Sequence, residues 1–131
     1  MSIKEMIREH PDVQGDFNEA LAQAVKHAMY CAAICNACAD ADSAEDMDMR
    51  RCVRLCSDCA DVCTATYRVA TRRTDHNVEV IRSMLETCIL ACEICAAECD
   101  KHDHAHCQRC AKMCRECADD CKAALVSLKG A

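Results

Sequence analysis

A chain of 131 residues is the size of one domain and long enough to bury a core without staples, so a single domain over residues 1–131 is expected. Its formal charge of −6 argues against a phosphate-neutralising surface for nucleic acid, and no stretch approaches the ~20 apolar residues of a membrane span. Sixteen cysteines stand against two tyrosines, one phenylalanine and no tryptophan, so thiols must fill much of the interior.

The opening MSIKEMIREHPDV lacks the apolar segment of a secretory signal. Disulfide frameworks belong to oxidising compartments, so a soluble, cytoplasmic protein with reduced thiols is expected. Ser2 with Glu5 forms a capping box for a short leading helix that Pro11 ends. From there to Gly130 the only Gly or Pro is Gly15, so continuous helix broken by short polar turns is predicted. Asp16 with Glu19 caps a helix over Phe17–Ala41. Ser43 caps a second over Ala44–Ala70, with Asp46 in its first turn. Thr74 or Asp75 caps a third over His76–Asp100. Asp103 caps a fourth over His104–Leu128, and Gly130 suits its C-terminal end. Such short turns favour antiparallel neighbours. The expected fold is all-α: an antiparallel up-down four-helix bundle with a short N-terminal helix and cysteines lining the core.

An internal repeat supports that division. The pattern CxxxCxxCxxxC covers Cys52, Cys56, Cys59 and Cys63; then Cys88, Cys92, Cys95 and Cys99; then Cys110, Cys114, Cys117 and Cys121. The first long helix carries Cys31, Cys35 and Cys38, with Asp42 where the fourth thiol would stand. Cys107 precedes the last repeat by one turn. At about 100° per residue, offsets of 0, 4, 7 and 11 fall at about 0°, 40°, −20° and 20°, an arc of roughly 60°. A stripe of that width is what a bundle helix turns inward. Val53, Ile34, Ile89 and Met113 flank it, and charges such as Arg54, Asp58, Glu93, Glu98 and Lys112 are expected outside. Four stripes facing one axis make a tube of sulfur.

Buried cysteine as a small hydrophobe accounts for one or two positions, not for sixteen in register. Disulfides along one helix face are hindered by geometry, since bridging needs Cβ atoms ~4 Å apart. Soft metal remains, and thiolates select Cu(I), zinc or iron–sulfur clusters. The ferredoxin run CxxCxxCxxxCP does not occur. Four Zn²⁺ on sixteen thiolates would leave about −8 in a low-dielectric core, whereas one Cu⁺ per thiolate sums to about zero. Charge therefore favours Cu(I) in bulk, roughly one ion per thiol. The alternative is a metallothionein-like buffer for zinc or other soft metals. A thiol redox enzyme would need one activated CxxC, and no pair is distinguished; the expectation is a binding protein, not an enzyme.

The helical CxxxCxxCxxxC stripes, with the tail CDKHDHAHCQRCAKMCRECADDC, resemble the cytosolic copper storage proteins over about Asp16 to Gly130. That resemblance implies a Cu(I) ligand role for each of the sixteen cysteines and a homotetramer; a store of this kind would hand its metal to copper chaperones or copper enzymes. Asp42 departs from the stripe pattern and implies one ligand fewer, or an oxygen at the mouth.

His102, His104 and His106 lie in the turn before the last helix, and Met47 and Met49 in the turn after the first long one. Both turns fall at the same end, so imidazole, thioether and carboxylate gather at one mouth. Met49, three residues before Cys52, should face inward. Leu21, Tyr67, Ile81, Met84, Leu85, Leu125 and Leu128 collect at the other end as an apolar plug. One-way loading through the His/Met mouth follows, with a merely solvated turn as the plainer reading of the histidines. His27, one turn before Cys31, fits either a ligand or a hydrogen-bonded core histidine. Val25, Val69 and Ile94, off the stripes, are candidates for contacts between subunits.

Overall fold

The computed structural model describes residues 2–13, 15–74 and 76–128. Within them the chain forms α1 (Ile3–Arg8), α2 (Glu19–Ser43), α3 (Arg50–Thr71), α4 (Val78–Cys99) and α5 (Ala105–Ser127). The four long helices contact in the cycle α2–α3–α4–α5–α2, and α1 lies against α2. This is the expected four-helix bundle with a short leading helix.

Helix starts differ from expectation in which residue stands at each cap, and a cap side chain reaches a first-turn amide in α2 but not in α3, α4 or α5. Asn18, not Asp16, caps α2: its Oδ1 accepts the Leu21 N–H at 2.9 Å, while Asp16 is tied to the Arg73 guanidinium at 3.1 Å. Ser43 is the last residue of α2, and its hydroxyl donates back to the Ala39 carbonyl at 3.1 Å. The next helix therefore waits until Arg50, whose N–H and guanidinium both bond Asp48. Asn77 occupies the cap position of α4 and accepts the Thr74 N–H at 3.1 Å, so Thr74 is held in the turn. His104 takes the corresponding place for α5, one residue beyond Asp103, with its imidazole turned elsewhere. Asp75 and Gly130 lie outside the described residues.

The interior matches the predicted stripes. All sixteen cysteines are buried, none more than 2 % exposed. Small alanines (Ala28, Ala32, Ala60, Ala96, Ala111, Ala118) fill the helix seams and let the backbones approach. At the end away from the His-bearing turn, Leu21, Ile81, Leu85 and Leu128 are buried, with Tyr67 and Leu125 packed against them. This plug is the one conventional hydrophobic core region among the described residues.

Two placements depart from the helical-wheel reading. Val25 is buried rather than free for a subunit contact, and Ile7 and Val13 of the N-terminal arm line one small cavity with it, Leu21 and Ala70. The arm is pinned by Lys4 to Glu19 at 2.6 Å and by Arg8 over the Phe17 ring at 4.3 Å. Glu98, expected outside, is buried at the α3–α4 seam. It is satisfied there by Arg51 at 3.1 Å, Lys101 at 3.3 Å and His102 at 3.1 Å.

Candidate metal centre

Each long helix delivers its thiols along one inward face, and antiparallel neighbours bring them to common levels. Nearest the His-bearing turn, Cys52 lies 3.9 Å from both Cys56 and Cys99. One level in, Cys56 approaches Cys99 at 3.7 Å, Cys95 at 3.6 Å and Cys110 at 4.0 Å. Cys35 then bridges Cys110 at 3.7 Å and Cys114 at 3.5 Å, and Cys31 touches Cys35, Cys114 and Cys92 at 3.7–3.9 Å. Deeper, Cys59 meets Cys92 at 3.7 Å, Cys63 meets Cys88 at 3.7 Å, and Cys88 meets Cys117 at 4.0 Å. Cys121 closes the series against Cys117 and Cys88. Sulfur contacts run without interruption along the axis.

These contacts resolve into overlapping sets of four whose sulfurs all lie within 4.8 Å of one another. Cys38, Cys56, Cys99 and Cys110 take one thiol from each helix. Cys110 recurs with Cys35, Cys95 and Cys114; Cys114 recurs with Cys31, Cys35 and Cys59. Shared members link the sets end to end, the arrangement bridging thiolates require. With metal–sulfur bonds of about 2.3 Å, sulfurs around a trigonal ion stand about 4.0 Å apart and around a tetrahedral ion about 3.8 Å. Spacing alone thus fits three- or four-coordinate ions, and charge chooses between metals.

Burial disfavours the thiolate. Cys107 is pushed up to about 12, by burial first and then by the charge of Asp42, and Cys52 is also raised, by burial first and then by its hydrogen bond to Asp42. Farther in, neighbours share protons. Cys110 is held down by the S–H groups of Cys114, Cys35, Cys38 and Cys56, while Cys35, facing Cys110, is pushed up. A metal ion entering such a tube must displace protons.

The three histidines separate. His106 reaches the thiols: its Nδ1 lies 3.3 Å from the Cys38 sulfur and 3.6 Å from that of Cys107. His104 stacks on His106, with centroids 5.5 Å apart, and its Nε2 is 3.2 Å from the Met47 sulfur. His102 instead turns to Glu98, whose carboxyl burial would raise but which His102 and Lys101 hold below the usual range. Met49 is buried beside the mouth as expected, while Met47 is 53 % exposed. Asp42 is buried where the repeat breaks, its Oδ1 accepting from Cys107 at 3.5 Å and Cys38 at 3.9 Å. Glu45 was missed by sequence reading; it lies 2.8 Å from His106 Nε2, and its only sequence signal was a place in the mouth turn. His27 bonds Asp120 on α5 and approaches Gln23 at 3.4 Å, which favours the hydrogen-bonded reading over a thiol-side ligand.

Fold and site together define a helix bundle built to hold soft metal ions on thiols. Residues 17–126 match the sequence model of the family described as "Copper storage protein", and the chain belongs to that family. It is similar to the copper storage protein Ccsp from Streptomyces lividans loaded with 10 copper equivalents. That likeness has 38% identity and a TM-score of 0.90, over 95% of this chain and 98% of that one. A second structure, of copper loading to a cytosolic copper storage protein from Streptomyces lividans (five coppers), matches at 41% identity with a TM-score of 0.80. It spans 82% of this chain and 93% of that one. An uncharacterized cysteine-rich protein, YhjQ, of Bacillus subtilis (strain 168) is 34% identical over 94 residues, 70% of this chain and 83% of the relative.

Proposed function

We propose that this chain is a cytosolic copper store. It holds many Cu(I) ions on the thiolates inside its bundle, about one per thiol, and performs no catalytic turnover. The observation that carries this reading is the unbroken series of overlapping four-sulfur sets along a buried axis, in a chain of the copper storage family. Monovalent ions bridged by thiolates leave such a core near neutrality, which divalent ions on the same ligands do not. The sixteen cysteines are the ligands. His106, together with Met49, which lines a surface cavity with Asp42, supplies weaker donors at the mouth through which Cu(I) passes inward. His104 and Met47 lie at the outer edge of that path, and His102 supports it through Glu98 rather than facing the thiols.

The whole chain, residues 1–131, acts as one storage domain, and it assembles as a homotetramer. Leu90 and Ile94, exposed at 59 % and 41 % on α4, are apolar residues available for such a contact. Copper chaperones or copper enzymes exchange metal with the filled bundle. Titration of reduced, metal-free protein with Cu(I) against a chromophoric competitor tests the reading. More than ten ions per chain bound before the competitor colours is the expected result. A plateau of a few ions, or displacement by equimolar zinc, would instead favour the metallothionein-like buffer.

A further inference from the structure

Of the neighbouring long helices, α2 and α5 alone are joined by no turn, since the other three pairs follow one another directly along the chain. The axial register of this seam must come from side chains, and packing supplies little of it. From Ala28 to Ala39 on α2 the buried residues are all cysteine or alanine, and from Cys107 to Ala124 on α5 only Met113 is larger. Side chains this small and uniform give few knobs to stop one helix sliding past the other. Yet the sulfurs demand register. Cys114 lies 3.8 Å from Cys31 and 3.5 Å from Cys35, and Cys35 lies 3.7 Å from Cys110. A slip of one residue moves a helix about 1.5 Å along its axis, enough to pull those contacts apart.

Away from the mouth, two side-chain hydrogen bonds cross the seam among the described residues. Asn18 donates to Ser127 at 3.0 Å, an exposed contact at the apolar end. The other bond joins His27 to Asp120 beside the tube, their side chains only 23 % and 24 % exposed. His27 stands one turn before Cys31, and Asp120 immediately precedes Cys121. Chemistry fixes the proton on the ring. A carboxylate only accepts, so Nδ1 carries the hydrogen; the Gln23 amide nitrogen only donates, so Nε2, 3.4 Å from it, is the bare acceptor. Both ring nitrogens are occupied in holding the ring, and neither is left for a metal ion.

We infer that the Gln23–His27–Asp120 chain is the register lock of the α2–α5 seam, and that His27 is a positioning residue for the sulfurs of Cys31, Cys35, Cys110 and Cys114. It binds no copper itself. A directional polar bond at a mostly apolar helix contact gives up some stability and specifies one alignment, as single polar residues do in coiled coils. That the aligned sulfurs hold Cu(I) rests on the storage reading; the lock does not.

Crystals of metal-free His27→Leu test the geometry. The expected structure keeps the bundle but shifts α5 along α2, so that Cys35–Cys114 and Cys31–Cys114 open beyond 3.5 and 3.8 Å. His27→Asn, whose amide nitrogen takes the place of Nδ1, restores them. Unchanged separations in His27→Leu overturn the inference. The second readout is release of stored Cu(I) to a chromophoric competitor. Part of the copper should leave roughly 10-fold faster from His27→Leu and from Asp120→Leu, with no further gain in the double variant. Leu85→Ala, which loosens the apolar end on α4, should release at the unaltered rate. Equal acceleration there would reduce His27 to general stability and overturn the inference as well. Total Cu(I) uptake by the unaltered protein tests storage alone: a plateau of a few ions strikes the store, and the crystal comparison still decides the lock.

Discussion

Asp42 shows how one residue sets the character of an end. Its angular position continues the stripe of Cys31, Cys35 and Cys38, so it is carried inward with them and buried. Asp42 then raises two thiols at that end, Cys107 by its charge and Cys52 by its hydrogen bond, beyond what burial has already done. The sign follows. Cys107 holds its proton in the folded protein up to about 12, against about 9.0 for a free thiol. Its contribution to stability is therefore complete below about pH 9 and is lost as pH climbs toward 12. Metal-free protein, kept reduced, should show a melting temperature flat through neutral pH and falling steadily above about pH 9. A melting temperature that rises across that range would contradict the assigned burial of these thiols.

At the scale of the element, the stripes were legible in the sequence because an offset pattern of 4, 3 and 4 leaves a helix no other face for its cysteines. Boundaries were less so. Ser43 and Asn18 are both good caps by type, and the choice rests on which side chain finds a free amide. Ser43 bonds backward inside α2, whereas Asn18 bonds forward to Leu21. Glu98 escaped because a helical wheel does not show that Arg51, Lys101 and His102 converge on it from a neighbouring helix and the following turn. His102 was likewise grouped with His106 by proximity in sequence, though Glu98 draws it away from the thiols. If the cap assignment is right, Asn18→Ala costs metal-free protein about 1 kcal/mol in denaturant unfolding. Asp16→Ala, which removes only an exposed ion pair, should cost roughly half a kcal/mol or less. Equal losses would return the cap to Asp16.

Across the whole molecule, stability and storage are assigned to different ends. The tube is lined by sulfur and small alanines, while the large apolar side chains gather at the closed end under α2, α4 and α5. Leu85→Ala should therefore destabilise metal-free protein by about 2–5 kcal/mol, because Leu85 is fully buried in that plug. Its Cu(I) capacity at low temperature should be unchanged, since no thiol is lost. Thermal melts and a copper titration on the same variant check both halves. A large fall in capacity with the fold intact would show that the plug and the tube are not separate.

The central claim is that the copper lies inside the bundle, on the sixteen thiols. Anomalous difference maps from crystals of the Cu(I)-loaded protein, collected at the copper edge, measure this directly. The account predicts a file of peaks along the bundle axis from Cys52 and Cys107 down to Cys88 and Cys121, each within bonding distance of two or three sulfurs. Peaks confined to surface histidines and carboxylates, with the axis empty, would contradict it.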